Sequence, residues 1–258
     1  MSANIAVRGI VLRTFNLGEA DKIVTLFSDK RGKISLVAKG VRRTRSRFGA
    51  VVDPFTDLRV TARTGKGALA TITGVEVINA YLDMRVDLER LRYGYAMLEA
   101  IDKHAQDEHV EPRLYKLLGA GLAAIGEASV EGDKDLAVLA FDVKLAAVSG
   151  FLPYLFSCGH CGGKGRALRY FSPSTGGAVC PVCRPGATDA EPMSANIPGL
   201  AWQLLYTTFR ELSSVSGESE ARACLRDILT AHLGYHVQSD ITAGELLRRK
   251  TAMWASGV

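Results

Sequence analysis

Short stretches in which apolar and polar residues alternate fill the first 80 positions of the chain. In residues 58–63 every second side chain is apolar, and the side chains between are two arginines and a threonine. This is the pattern of a half-buried strand. Glycine-bearing segments at residues 28–32 and 64–67 supply the turns that short hairpins need. The pattern predicts five strands, over residues 7–12, 23–27, 34–38, 58–63 and 69–77.

Five short strands without helical periodicity predict a small closed barrel, and the five-stranded oligonucleotide-binding (OB) fold is the obvious candidate. Beyond residue 80 the pattern changes, because apolar residues recur every three or four positions. One such stripe consists of Leu88, Leu91, Tyr95, Leu98 and Ile101. This period is that of amphipathic helices, and it predicts helices over residues 82–105, 112–125, 135–148, 198–212, 219–233 and 242–253.

The chain is therefore expected to be an α+β protein with two domains. Residues 1–80 are predicted to form an OB-fold nucleic-acid-binding domain, and residues 81–258 an all-helical body that is interrupted once. Two small polar segments that contain glycine or proline, residues 127–134 and 185–195, are expected to be disordered.

The interruption of the helical body contains two C-x-x-C pairs, Cys158-Gly159-His160-Cys161 and Cys180-Pro181-Val182-Cys183, separated by 18 residues. This spacing is typical of structural zinc sites. Each pair forms a tight knuckle that points two thiolates at one ion, and two knuckles complete a tetrahedron. Residues 167–172 and 177–179 can supply two strands between the knuckles. We therefore expect a zinc ribbon at residues 157–185 with one structural zinc ion bound by Cys158, Cys161, Cys180 and Cys183.

Other uses of these cysteines fit less well. Two disulfides do not suit a cytosolic chain, and a redox C-x-x-C pair is expected in a thioredoxin-like βαβ context that is absent here. Zinc-dependent nucleobase deaminases need a His-x-Glu element, whereas His160 is followed by Cys161 and Gly162. Four thiolates also leave no open position for a reactive water. Cys224 lies in a helical run and is expected to be an ordinary core thiol.

Composition and charge narrow the class of protein further. With 47% apolar and 23% charged residues, the chain is neither disordered nor fibrous. It has no apolar run near the roughly 18 residues of a membrane span and no signal peptide in its first residues, so we expect a cytoplasmic protein. Residues 1–80 contain 14 lysines and arginines against 6 acidic residues, whereas the remaining residues contain 18 against 21. The basic excess of the first domain suggests a polyanionic partner.

The densest part of this excess is residues 39–47, where five positive charges occur with no acid. Arginine predominates, which suits bidentate contacts with phosphates. A solvated charge run is the plain alternative, but its place beside a predicted OB barrel favours a DNA- or RNA-binding patch. The first 80 residues contain no tyrosine or tryptophan, so we expect contacts to backbone phosphates rather than base stacking. The candidate binding residues are Lys39, Arg42, Arg43, Arg45 and Arg47, and Lys30, Arg31, Lys33, Arg59 and Arg63 extend the patch.

Several stretches resemble the RecO family of bacterial DNA repair proteins. They are residues 18–27 (GEADKIVTLF), 38–43 (AKGVRR) and 46–49 (SRFG), and later 170–173 (YFSP), Gly176-Gly177 and 180–183 (CPVC). The order of barrel, helical body and inserted ribbon is similar as well, and it covers essentially the whole chain. Ala20 stands where serine is more usual in the first of these motifs. Some family members lack the metal cysteines, so the resemblance implies an architectural role for zinc.

The resemblance implies a recombination mediator rather than an enzyme. Such proteins bind single-stranded and duplex DNA, anneal complementary strands, contact the C-terminal tail of the single-stranded DNA-binding protein SSB and, with RecR, help the RecA recombinase replace SSB. On this reading the protein is cytoplasmic and associated with the nucleoid. Two other hypotheses remain: an RNA-binding zinc-ribbon protein of the translation or transcription machinery, and a metal-dependent hydrolase or nuclease. The second has only scattered carboxylates to use, at Asp21, Asp53 and Asp57, which we expect to serve turns.

Overall fold

The structure is a computed structural model that describes residues 4–43, 46, 48–49, 51–65, 67–86 and 88–237. The chain forms two compact units, Met1–Glu127 and Ala128–Val258. The boundary between the two compact units follows residue 127, whereas the predicted domain boundary follows residue 80. The two boundaries differ because the first two helices belong to the unit that contains the barrel.

The first unit begins with five strands that close into a barrel in the order β1-β2-β3-β5-β4. Neighbouring strands are antiparallel except β3 and β5, which pair in parallel through Leu36 with Ala70 and Val37 with Thr71. This confirms the predicted five-stranded barrel. The strands are β1 (Asn4–Leu17), β2 (Asp21–Ser28), β3 (Gly32–Ala38), β4 (Asp57–Arg63) and β5 (Ala70–Asn79).

The alternation along β4 has the expected consequence for burial. Leu58, Val60 and Ala62 are buried inside the barrel, and Arg59 and Arg63 are exposed on its outside. Period two places alternate side chains on opposite faces of a strand, so the apolar half of each strand contributes to one barrel core.

Two helices, α1 (Leu88–His104) and α2 (Pro112–Glu127), complete the first unit. A short 3-10 turn, Leu82–Arg85, precedes them. Gly94 of α1 allows a close approach, because a Cβ atom there would overlap the Met84 side chain and lie 2.7 Å from the Phe55 ring. All three of these residues are buried.

A buried carboxylate links α2 to the barrel. The Asp57 side chain accepts a hydrogen bond from the Tyr115 hydroxyl at 2.8 Å. It also forms an ion pair with Arg8, whose Nη2 atom lies 2.7 Å from the carboxylate. Burial and the hydrogen bond to Asp57 raise the pKa of Tyr115 well above its usual range. Asp57 is therefore a structural residue of the barrel.

The second unit contains three further helices: α3 (Glu131–Val148), α4 (Ile197–Tyr206) and α5 (Ser219–Val237). Helix α3 contacts both α4 and α5 and is buried along most of its length. The small ribbon sheet lies between α3 and α4 in sequence and has the order β7-β6-β8, with β6 (Tyr170–Ser172), β7 (Gly177–Val179) and β8 (Glu191–Pro192).

The structure corrects two details of the sequence reading. The predicted helix at 198–212 ends at Tyr206, because Thr207 is extended and the Lys144 ammonium binds the carbonyls of Leu205 and Thr207 at 2.7 and 2.9 Å. A 3-10 turn, Phe209–Ser214, follows. The segments expected to be disordered are instead partly regular, because α3 begins at Glu131 and β8 lies within 185–195. The predicted helix at 242–253 lies outside the described residues.

Among the described helices, none combines the length and the hydropathy that a bilayer-spanning segment requires.

Candidate nucleic-acid interface and metal centre

The loop after β3 carries the first three of the predicted DNA-binding residues. Lys39, Arg42 and Arg43 all have exposed side chains. Gly40 takes a left-handed backbone conformation (φ 67°), which glycine adopts without steric cost and which turns the chain away from β3. Arg45 and Arg47 lie outside the described residues.

The start of this loop is fixed to the turn between β1 and β2. The backbone N–H of Gly40 donates to Asp21 Oδ1 at 2.8 Å, and that of Arg42 donates to the Ala20 carbonyl at 3.0 Å. The Arg42 guanidinium also donates to the Gly18 carbonyl at 3.0 Å. The loop therefore presents its cations from a defined position on the barrel, and the residues that hold it belong to the 18–27 motif.

The residues predicted to extend the patch divide into two groups. Lys30, Arg31 and Arg63 are exposed. Lys33, in contrast, forms an ion pair with Asp102 at 3.5 Å and donates to the Asp102 carbonyl at 2.6 Å, while Arg59 pairs with Glu76 at 2.6 Å. Because their charges are already paired within the protein, Lys33 and Arg59 are less able to bind a phosphate.

The scattered carboxylates have structural partners rather than a shared site. Asp21 accepts the Gly40 N–H, and Asp53 pairs with Lys22 at 3.1 Å. Asp57 is buried against Arg8. Nothing in these contacts resembles the converging carboxylates of a hydrolase or nuclease.

The four ribbon cysteines come together as predicted. The Sγ atoms of Cys158, Cys161, Cys180 and Cys183 all lie within 4.8 Å of one another. Bonds of about 2.3 Å to a tetrahedral zinc ion correspond to sulfur–sulfur distances of roughly 3.8 Å, which is compatible with a cluster whose sulfur atoms all lie within 4.8 Å of one another. If all four cysteines bind one ion, no coordination position remains for a reactive water.

Backbone hydrogen bonds shape both knuckles. In the first, the N–H of Cys158 donates to the Gly163 carbonyl at 3.1 Å and the N–H of Gly162 donates to the Cys158 carbonyl at 2.7 Å. In the second, the N–H of Cys183 donates to the Cys180 carbonyl at 3.1 Å. The two knuckles meet where the Cys180 N–H points at Cys158 Sγ, 3.4 Å away.

The electrostatics of the cluster favour a bound cation. Burial raises the pKa of the Cys158 thiol, but backbone N–H groups of Cys180, Cys161 and His160 outweigh it and lower the pKa to about 6. Burial and the neighbouring thiols raise the pKa of Cys183 to about 12. Four adjacent thiols cannot all ionise unless a positive ion compensates their charge, and soft thiolate sets of this kind select zinc or iron.

Arg166 adds a positive charge at the same place. Its guanidinium hydrogen-bonds to Cys180 and lies near Cys161, and these contacts raise the arginine pKa. The four cysteines could hold one metal ion, with Arg166 balancing part of the negative charge of the thiolates.

Comparison with known proteins now decides the family. The family model "Recombination protein O N terminal" matches residues 1–81, and "Recombination protein O C terminal" matches residues 85–243. A DNA repair protein RecO of Thermobifida fusca is 38% identical over 244 residues, covering 93% of this chain and 97% of that protein. A DNA repair protein RecO of Rubrobacter xylanophilus is 35% identical over 240 residues, covering 89% and 90%. The chain belongs to the RecO family.

Membership of the RecO family confirms the resemblance drawn from the sequence motifs and makes the chain a DNA repair protein. The motif residues have visible structural roles in this member: those near Gly18 hold the cationic loop, and those near Cys180 form the second knuckle. The RecO N-terminal match coincides with the closed barrel, and the C-terminal match contains the cysteine cluster.

One prominent surface of this member of the RecO family was not predicted from the sequence. Tyr154, Phe156, Trp202 and Tyr206 are exposed around a groove beside the ribbon. The signal was present, because Trp202 and Tyr206 are four residues apart on one helix face. Aromatic residues at helical spacing usually belong to a core, and here they do not.

Proposed function

We propose that this protein is a recombination mediator that binds single-stranded and duplex DNA and anneals complementary strands. Together with RecR it helps RecA replace SSB on single-stranded DNA. The single observation that carries the proposal is the loop after β3, which is anchored to the barrel and directs Lys39, Arg42 and Arg43 into solvent. Arg45 and Arg47 continue the same charge run in sequence.

Annealing requires little more than such a cationic surface. Two complementary strands repel each other through their phosphates, and a shared cationic surface screens that repulsion without any covalent step. If five cations each neutralise one phosphate, the affinity for single strands should fall with salt with a log–log slope of roughly −3 to −4.

The metal centre has an architectural role in this proposal. One zinc ion bound by Cys158, Cys161, Cys180 and Cys183 would fix both knuckles and the sheet between them. The buried cluster that contains Cys158 and Cys180 is otherwise made of the small residues Val179, Ala187 and Ala190, so metal bonds replace a large core. Elemental analysis of the purified protein should find one zinc per chain, and finding neither zinc nor iron would contradict this part of the proposal.

The protein partners follow from the family rather than from a site that we can point to. The SSB tail is acidic and ends in an apolar residue, so it needs a surface with basic and apolar character. RecR is the second expected protein partner. The proposed place of work is the cytoplasm, at the nucleoid.

The test is strand annealing on SSB-coated DNA with wild-type protein and the Arg42→Glu/Arg43→Glu variant. Both side chains are exposed, so the variant should fold normally and should lose annealing together with affinity for naked DNA. Arg113→Glu/Lys116→Glu makes the same change in net charge at exposed positions of α2 and serves as the control. Undiminished DNA affinity in the loop variant would refute the site assignment.

Competition between matched single-stranded DNA and RNA separates this proposal from the RNA-binding alternative. A mediator of DNA repair should bind the DNA at least as tightly as the RNA. A clear preference for RNA would favour a ribosomal or transcriptional role instead.

A further inference from the structure

Four aromatic side chains of the second unit expose more than half of their surface around one groove. Tyr154 is 70% exposed, Phe156 59%, Trp202 53% and Tyr206 64%. The groove has a volume of about 340 Å³ and is formed by residues 152–157 on one side and by α4 on the other. Large exposed aromatic patches of this kind usually mark a binding surface.

The groove is a defined part of the fold. Its first wall is attached to the ribbon, because the Tyr154 N–H donates to the Gly176 carbonyl at 3.0 Å and the Ala178 N–H donates to the Tyr154 carbonyl at 2.7 Å. On the second wall, Trp202 and Tyr206 are one helical turn apart, with ring centroids separated by 4.3 Å. Phe156 meets Trp202 edge to face at 5.7 Å.

The four side chains stay more than half exposed despite these ring–ring contacts. The rings are thus held in position by one another while much of their surface remains available to a planar ligand. Nucleobases are such ligands, because every base has a π-face that stacks on aromatic side chains.

The charge of the surroundings fits a polyanion. All described residues that line the groove are uncharged. The adjoining ribbon carries four cations, Lys164, Arg166, Arg169 and Arg184, with no acidic residue between positions 158 and 188 of the sequence. The first three of these side chains are exposed.

One hydrogen bond brings this charge next to the groove. Ser157 ends the first wall, and the N–H of the following residue, Cys158, donates to the Gly163 carbonyl at 3.1 Å. Lys164 therefore begins directly beside the wall. A strand whose bases enter the groove would carry its phosphates past a cationic rim.

We propose that this groove binds the unstacked bases of single-stranded DNA, while Lys164 and its neighbours in the ribbon contact the phosphates. The identity of the ligand rests on the proposed function. A duplex cannot use the groove, because its bases are already stacked and paired. The groove therefore gives the protein a contact that distinguishes single strands from duplexes, which phosphate contacts alone do not provide.

Fluorescence of Trp202 tests the proposal directly in the full-length chain. The sequence contains two tryptophans, so Trp254→Phe leaves Trp202 as the single reporter. Adding oligo(dT) should quench its emission in parallel with binding measured by anisotropy of labelled DNA. A blunt-ended duplex without a single-stranded loop should bind without quenching.

Substitutions give the second readout. Trp202→Ala should weaken binding of oligo(dT) by about 5- to 140-fold, the range expected for the loss of one stacked base, and should leave duplex affinity within twofold. Trp202→Phe should recover most of the loss, because a flat ring is retained. Tyr235→Ala removes an exposed aromatic of α5 that does not line the groove and should have no effect.

Three outcomes would overturn the proposal. The first is unchanged Trp202 emission while DNA binding through Arg42 and Arg43 is intact, which would leave the proposed function standing. The second is that Trp202 is protected from quenching by acrylamide and that this protection disappears in the Leu246→Asp/Leu247→Asp variant. The chain beyond Val237 would then be the occupant of the groove. The third is protection that rises with protein concentration, which would indicate a second copy of the chain. Loss of all DNA binding in the wild-type protein would instead refute the proposed function itself.

Discussion

The buried Asp57 carboxylate offers the most quantitative test of how the barrel and α2 are held together. Asp57 is 3% exposed and Arg8 42% exposed, and their closest atoms are 2.7 Å apart. A second bond runs from Arg8 Nε to the same oxygen at 3.1 Å, and the Tyr115 hydroxyl donates to the other oxygen at 2.8 Å. Asp57→Ala would remove all three interactions at once.

The expected cost follows from these contacts. Breaking a buried ion pair costs about 3–5 kcal/mol when the remaining charge stays buried. Here the remaining charge is on Arg8, which reaches water, so its contribution is screened. We therefore expect Asp57→Ala to destabilise the first unit by about 2–3 kcal/mol. Asp57→Asn should cost about 1–2 kcal/mol, because an amide oxygen can still accept the Tyr115 hydroxyl.

The assay must report on the first unit alone. Both tryptophans, Trp202 and Trp254, lie beyond residue 127, so tryptophan fluorescence does not follow the barrel. A chain with two compact units also need not unfold in one step. Native-state hydrogen exchange of amides in β1, β4 and α2 measures the required free energy of unfolding locally.

A double-mutant cycle checks the reasoning. Tyr115→Phe alone should cost about 1 kcal/mol, the value of one hydrogen bond, and in the Asp57→Ala background it should cost almost nothing. Additive effects of the two substitutions would show that the hydroxyl and the carboxylate do not interact. A loss below about 0.5 kcal/mol for Asp57→Ala, the level of ordinary surface changes, would refute the account of the buried ion pair.

Two further predictions concern the second unit. Removing the metal with a chelator, or replacing Cys161 by Ser, should raise the rate of hydrogen exchange throughout residues 157–185 and leave exchange in the barrel strands unchanged. A uniform effect on both units would contradict an architectural site confined to the ribbon. Burial, together with the neighbouring His236, lowers the pKa of His232 to about 4. The neutral form is therefore favoured in the folded state, and the second unit should lose up to about 3 kcal/mol of stability as the pH falls from 6.5 to 4. His232→Gln should abolish this part of the pH dependence of stability, measured by denaturation across that range.

The local features of the fold could largely be predicted from the sequence. Strict alternation in residues 58–63 predicted β4 because one face of that strand packs inside the barrel. The C-x-x-C spacing predicted the cysteine cluster because two knuckles have one favourable way to share an ion. In both cases, geometry over a few residues determines the result.

Features that depend on distant partners could not be predicted. The ion pairs of Lys33 with Asp102 and of Arg59 with Glu76 join residues far apart in sequence, or on neighbouring strands whose register is set by the whole barrel. The parallel contact of β3 with β5, which closes the barrel, is also non-local. The helix predicted over residues 198–212 did not reveal that Trp202 is exposed, because a periodicity shows which residues share a face and not whether another element covers it.

The two proposed contacts with DNA differ in their response to salt, and this difference bears on how a mediator selects its substrate. Phosphate contacts weaken as salt rises, with a slope of about −0.9 per contact for duplex DNA and about −0.7 for single strands. Stacking of bases on Trp202 and its neighbours releases few counterions and so survives at higher salt. If the protein used the cationic loop alone, the ratio of its affinities for single strands and duplexes would change with salt only because these two slopes differ. If the aromatic groove also contributes, it should raise the preference for single strands by a factor that hardly depends on salt, and Trp202→Ala should lower the preference by that same factor at every salt concentration without changing its slope.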